Sequence, residues 1–325
     1  KYKFYKFQDI YDFLFEKYNN ILTLNNFRDI INHSKFDYQK LDTICLESRV
    51  IKTEEEIENI RKSCVLVSQA IQKMFQDLKK NKIKKTKDIV QHITSNLKKS
   101  NIEQVSYSPI CSMEHNSTIL HYDKYDSLLK KKSLVLLDIG FKYKGYCSDI
   151  TRTFPVSGKF TSNQKKIYDI VLKVSDAIIK KLKPDVSYNQ LESECYLIIF
   201  RELGKIKLIL PNTLTNSEKI EFILKNFMYH SLGHFIGLKN HDVGKLDVLK
   251  KGMVITIEPG IYFPQKLLLN NLINQKELQK YMSIGGIRIE DTIVITKKSY
   301  NILNKVTAKK VLEKDPKKIE KLILS

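Results

Sequence analysis

The sequence predicts an α+β fold, and three observations carry that expectation. Pairs of segments with helical apolar spacing alternate with short runs of strand character. The longest such run, LVLLDIGFKYKGYCSDITRTF from Leu134 to Phe154, is interrupted at Lys144-Gly145 as a hairpin would be. No G-x-G-x-x-G follows a strand, which argues against a doubly wound dinucleotide-binding sheet.

Taken in order, residues 1–46 are aromatic-rich and irregular, and KYKFYKFQDIYDFLFEKY reads as a short helix or strand too small to be a domain. Thr53-Glu54-Glu55-Glu56 has the capping-box pattern, and Ile57, Ile60, Val65, Val67, Ile71, Met74 and Leu78 then recur at helical spacing. Core packing accounts for that stripe better than a cofactor does. Thr86 is expected to cap a second helix through Ile89, Val90, Ile93 and Leu97, with His92 at the surface, and Val105 to Cys111 alternates like a strand. Beyond the hairpin, Thr161 with Gln164 opens a helix that Pro184 ends, and another spans Tyr188 to Leu203.

The hairpin places one carboxylate on each strand. A two-residue loop at Lys144-Gly145 sets Asp138 opposite Thr151 and diagonal to Asp149, on the same face of the ribbon. Two ionised carboxylates turned inward among Leu, Ile and Val repel each other and lose hydration, which is costly unless a cation or a shared proton neutralises them. A metal site is the physical expectation. On the hairpin alone a plainer arrangement stays open, in which one Asp caps the turn and the other pairs with Lys142 or Arg152.

Three of the seven His stand close together, as His230, His234 and His241 in YHSLGHFIGLKNHD. Such clustering suits metal ligation or oxyanion stabilisation. His230 and His234 are spaced as in the zincin helix, but no Glu follows the first, so the general base of that motif is missing. Gly233 and Gly237 point to a bend or a close backbone approach rather than one continuous helix. Two more carboxylates follow: Glu258 ends the apolar run MVITIE before Pro259-Gly260, and Glu290 sits mid-strand in IGGIRIEDTIVIT, with Arg288 on the same face. Asp138, Asp149, Glu258 and Glu290 with His234 make a set of about four negative charges, which a pair of divalent cations would neutralise.

Composition bounds the remainder. With 325 residues the chain is long enough for one large domain, or one domain and a smaller piece. The formal charge of +20 raises nucleic acid as a partner, but only six of the 56 basic residues are Arg, the Lys are spread out, and no nucleic-acid motif accompanies them. No nucleic-acid role is therefore expected. No apolar run approaches the ~18 residues of a membrane span, so no membrane role is expected either. Lys1 is not a natural start, so a targeting segment would lie outside this sequence. The five Cys are scattered without a C-x-x-C, which suits a reducing compartment.

The segments LLDIG, CSDITRTF, HSLGHFIGLKNHD, TIEPGIYF and GIRIEDTIVIT, in that order, resemble the five signature blocks of the pita-bread metallopeptidases, the family of methionine aminopeptidase, aminopeptidase P and prolidase. The likeness runs from about Arg49 onward. RVIKTEEEIENIRKS, SDITRTFPVSGKFT and DPKKIEKL are most similar to the bacterial-type aminopeptidase P branch and its mitochondrial intermediate-cleaving relatives. That resemblance implies two pseudo-symmetric α/β halves around a curved mixed sheet. It also implies residues 1–48 as the remnant of an N-terminal domain or a linker, and 49–325 as the catalytic domain.

The implied activity is hydrolysis of a peptide or protein N-terminus, before proline by preference, with two divalent metal ions. Mn suits the oxygen-rich set best; Zn, Co and Fe stay open. Asp138 would hold one ion, His234 and Glu258 the other, and Asp149 and Glu290 both. Glu258 would act as general base, His230 and His241 would stabilise the carbonyl oxygen, and His121, Tyr262 and Arg288 would contact substrate. Cys147 would be a packed neighbour, not a ligand. Prolidase, methionine aminopeptidase and an inactive binding domain are the alternatives, a homo-oligomer is compatible, and a mitochondrion or other organelle is expected over the cytoplasm.

Overall fold

A computed structural model of the chain describes residues 44, 46–100, 102 and 104–304. The expected N-terminal helix or strand and the DPKKIEKL block lie outside the described residues. The chain divides into Lys1–Val50 and Ile51–Ser325, and all that follows concerns the second unit.

Helix α1 (Glu54–Lys79) begins at the expected capping box: Glu56 N donates to Thr53 Oγ1 at 3.3 Å and Thr53 N to Glu56 Oε2 at 2.7 Å. Its inner stripe, Ile60, Cys64, Val67, Ile71 and Met74, is wholly buried. Helix α2 (Thr86–Lys98) shares that core through Ile89 and Ile93. Thr86 is not its cap but its first helical residue; Asp88 closes the start instead, accepting from Lys84 N and Lys85 N at 2.9 Å each. His92 is half-buried rather than a surface residue, because its Nε2 lies 2.6 Å from Asp77 on α1.

Strands β1 (Ile110–Met113), β2 (Leu134–Ile139) and β5 (Ile150–Pro155) form an antiparallel sheet in the order β1-β2-β5. The first strand starts later than the alternation suggested, since Val105 makes only an isolated bridge to Phe141. Between β2 and β5, β3 (Lys142–Tyr143) and β4 (Tyr146–Cys147) carry the turn, with φ of 49° at Lys144 and 85° at Gly145 as a type I′ turn requires. Asp138 pairs with Thr151, the register expected from the loop.

Helices α3 (Ser162–Ile179), α4 (Tyr188–Lys205) and α5 (Asn216–Asn226) follow. Thr161 and Gln164 box the start of α3, which ends at Ile179, ahead of Pro184. The second antiparallel sheet runs β10-β9-β6 and is built from β6 (Val254–Ile257), β9 (Asp291–Ile295) and β10 (Tyr300–Ile302). A ribbon of β7 (Gly260–Tyr262) and β8 (Gly286–Arg288) lies beside it in sequence. Glu290 is not mid-strand. It falls in the break between β8 and β9, where the chain changes partners: Ile289 N donates to Pro259 O at 3.2 Å and Glu290 N to Thr151 O at 3.1 Å.

Arg152 on β5 ties the two halves together. Its Nη1 donates to Glu290 O at 2.6 Å and its Nη2 to Asp291 Oδ1 at 2.5 Å, with both side chains nearly inaccessible. Thr153 and Arg288 exchange bonds at 3.0 and 3.1 Å along the same seam. The carboxylates on β2 and just ahead of β5 therefore face those that follow β6 and β8.

Candidate metal centre

The His-rich segment is extended, not helical. Glu258 N donates to Leu232 O at 2.8 Å, Thr256 N to His234 O at 2.9 Å and Ile236 N to Val254 O at 3.2 Å, so residues 232–236 run along β6 like an added strand. A Cβ on Gly233 would stand 2.1 Å from Thr256 O, so only glycine permits this approach. This lays His234 beside Glu258.

A cavity of about 530 Å³ gathers the expected residues: Asp138, Asp149, Glu258, Glu290, the three clustered His, His121 and Arg288 all line it. Asp149, His234 and Glu290 each present one ligand atom, all within 4.8 Å of one another. His234 Nε2 lies 3.4 Å from Asp149 Oδ2 and 3.6 Å from Glu258 Oε1. Its Nδ1 faces the Phe235 carbonyl at 2.9 Å and must donate to it, which leaves Nε2 as the atom turned to the carboxylates. Thr151 Oγ1 orients Glu290 with a 2.6 Å bond.

Asp138 pairs with neither Lys142 nor Arg152, and nor does Asp149. Arg288 Nη2 donates to Asp138 Oδ2 at 2.6 Å. Tyr107, which sequence reasoning did not single out, places its hydroxyl against Asp138 Oδ1 and 2.6 Å from Asp149 Oδ1. Its single proton is shared between the two carboxylates, a direct local answer to their repulsion. Nothing in VSYSP marks Tyr107 beforehand; only the need of paired carboxylates for a donor could have prompted a search.

The electrostatics record the crowding. Burial, then the charge of Asp149, pushes Asp138 up to about 6. Burial pushes Glu258 up to about 7, and Glu290 is raised well above the usual carboxylate range by burial and then Asp149. Asp149 moves the other way: burial opposes its charge, but the bond and charge of His234 hold it low. His234 is raised to about 9, since Asp149 outweighs its burial. Three of the four carboxyls resist ionisation and the His234 imidazole is driven to protonate, the response of several anionic groups buried side by side. Hard oxygen donors with a single imidazole suit divalent cations, so the residues fit such ions.

The other expected residues occupy distinct places. His121 and His241 are exposed to the cavity, and the His241 ring lies against that of His234 with centroids 4.1 Å apart. Tyr262 does not line the cavity. It is fully buried, accepts from Arg288 Nη1 at 2.7 Å and has its hydroxyl 2.9 Å from His230 Nε2, so it braces two lining residues. His230 also has its Nδ1 2.8 Å from Ser231 O, which must accept, so both ring nitrogens are engaged within the protein. Cys147 is wholly buried, with its Sγ 3.7 Å from Leu238 O, and does not belong to the Asp149–His234–Glu290 cluster.

Comparison with known proteins identifies the family. The family model described as metallopeptidase family M24 matches residues 58–297. The chain is 31% identical over 319 residues to the probable Xaa-Pro aminopeptidase of Paracoccidioides brasiliensis, covering 89% of this chain and 66% of that one. It is 30% identical over 324 residues to that of Sclerotinia sclerotiorum, covering 86% and 58%. Among solved structures, Escherichia coli aminopeptidase P with the inhibitor Pro-Leu matches at a TM-score of 0.72 and 32% identity, over 86% of this chain and 61% of that one. Proline aminopeptidase P II from Yersinia pestis matches at 0.73 and 29%, over 92% and 66%. The chain thus spans about three fifths to two thirds of these relatives' lengths. An α+β, pita-bread arrangement that brings four carboxylates and an imidazole to one cavity, and a family match across most of the described residues, together place this chain in metallopeptidase family M24.

Proposed function

We propose that this chain is the catalytic part of an X-prolyl aminopeptidase that removes the N-terminal residue from peptides with proline in second position. The observation that carries the reading is the convergence of Asp149, His234 and Glu290 within ligand distance, with Asp138 and Glu258 in the same cavity. Two divalent ions are the loading we favour, with Asp138, Asp149, His234, Glu258 and Glu290 as ligands, and Mn ahead of Zn, Co or Fe for an oxygen-rich set. When bound, such ions would polarise the scissile carbonyl and acidify water for attack.

The protein's own groups do the rest. Glu258, with its Oε1 beside His234 at the cavity, is placed to take a proton from the attacking water and pass it on. His241 turns an exposed imidazole to the cavity and can donate to the carbonyl oxygen as charge develops there. His230 reaches the same role only by releasing Ser231 O. Arg288 and His121 line the cavity as substrate contacts, with Tyr262 fixing Arg288 from behind. Residues 49–325 form the catalytic domain in this reading, with 1–48 as what precedes it. Organellar placement rests on the resemblance alone.

Hydrolysis assays on X-Pro-Y peptides, X-Pro dipeptides and Met-peptides with Mn supplied, alongside metal counting by native mass spectrometry, test the proposal. Cleavage of X-Pro-Y in preference to the others, with two ions per chain, is expected. Preference for X-Pro dipeptides would indicate a prolidase, preference for Met-peptides a methionine aminopeptidase, and no hydrolysis with no bound metal would overturn the enzymatic reading.

A further inference from the structure

The RVIK segment ahead of α1 has no part in the chemistry above, yet its lysine is built into the back of the site. The side chains of Lys52 and Asp242 are 2% and 1% exposed, with Nζ 3.3 Å from Asp242 Oδ2. The Lys52 ammonium also lies 5.3 Å from the centroid of the Phe235 ring. Lys52 is held by its own backbone, whose N donates to Gly252 O at 2.9 Å just before β6.

Asp242 closes a loop. Its N donates to Phe235 O at 2.9 Å, so residues 235–242 leave the β6 edge and return to it. Gly237 N donates to Lys239 O at 3.1 Å within the loop, and Cys147 N donates to Gly237 O at 2.8 Å from the hairpin. Gly237 gives way to the ion pair: a Cβ there would stand 2.2 Å from Asp242 Oδ2 and 3.0 Å from Lys52 Cε. The residue next to this anchored carboxylate is His241, whose exposed ring stands against His234 at the cavity. A loop with no helical or sheet ladder beyond position 236 needs some other device to hold an imidazole in place. A buried ion pair is a stiff one, because neither partner can be withdrawn without stranding a charge.

We propose that Lys52 is a positioning residue for His241: by gripping Asp242 it locks the return of the 235–242 loop and keeps the His241 imidazole against the metal cavity. The kinetic consequence rests on the hydrolytic reading above; the structural one does not.

The test uses the full chain carrying both Lys52→Met and Asp242→Asn, which removes both charges at once and avoids the lone buried carboxylate that would endanger either single change. Lys52→Arg is the second variant, keeping a charge on a head too large for the same contact. Amide hydrogen exchange in 237–242 should quicken about tenfold in both, with 134–155 unchanged. kcat should fall at least tenfold with KM within about threefold, since misplacing a group by about 1 Å costs on the order of 100-fold. On a His241→Ala background the double change should add no further loss, because residues acting through one another are not additive. Unchanged exchange in 237–242, or a full additional loss on the His241→Ala background, would overturn the proposal. A wild-type chain that hydrolyses no peptide would defeat the hydrolytic reading and leave the exchange result to decide the role of Lys52.

Discussion

Glu258 is the residue on which turnover should depend most directly. Replacing it with Ala removes the carboxyl that burial holds near neutrality and leaves β6 untouched; we expect far-UV circular dichroism to stay as in the wild type while kcat falls about 10²–10⁴-fold. Tyr107→Phe should act differently. It deletes the hydroxyl shared by Asp138 and Asp149, and calorimetry should show divalent-ion affinity weakened about 10–100-fold. The two residues differ in how visible they were. Glu258 could be read from its place between an apolar strand and Pro-Gly, and Asp138 and Asp149 from strand period, because strand geometry ties spacing to facing. Tyr107 could not, nor could Lys52: each acts on a partner far away in sequence, and no local period records such a contact. The burial of Tyr262 behind the cavity wall was equally unreadable, since it depends on Arg288 and His230 meeting it from two other segments.

At the scale of elements, local rules predicted what local interactions decide. Thr53 and Thr161 start helices through reciprocal side-chain bonds within four residues, and the Lys144-Gly145 turn sets the pairing of its flanking strands, so these were legible in the chain. Thr86 was misread because Asp88 wins the competition for the free amides of Lys84 and Lys85. The break at Glu290 escaped notice because its cause is the change of strand partner from β7 to β6, a tertiary event. Arg152, in the seam between β5 and β9, gives this scale its prediction. Arg152→Met takes the cation from the buried Asp291 carboxylate, leaving it the Asn304 Nδ2 donor at 2.9 Å, and frees the Glu290 carbonyl, so urea titration should show a loss of about 3–5 kcal/mol. Stability within ~1 kcal/mol of the wild type would show that the seam is held by something else.

For the molecule as a whole, the metal-free cavity dictates a pH dependence. Asp138, Glu258 and Glu290 have folded-state values raised above those of free carboxyls, so the folded chain binds protons that the unfolded chain has lost, and stability falls as pH rises through about 6 and 7. His234, raised to about 9, contributes stability that is complete below about 6.5 and gone once pH passes 9. Asp149, held low, lends stability that disappears only in stronger acid, outside this range. Burial holds His230 at about 3 and lowers His241, and both work the other way below about 6.5. Chelated protein should therefore lose melting temperature chiefly from about pH 6.5 to 9, and divalent ions should restore more of it at the alkaline end, since they neutralise the same carboxylates. A flat profile in scanning calorimetry of the chelated chain would contradict this. The seam also has a bearing on biosynthesis. Asp138 and Asp149 leave the ribosome about 150 residues before Glu290, a delay of roughly 8–30 s at ordinary translation rates. Throughout that interval the nascent hairpin carries two facing acids with neither Arg288 nor Glu290 to complete their surroundings, so a complete ligand set exists only once the strands that flank Glu290 have emerged.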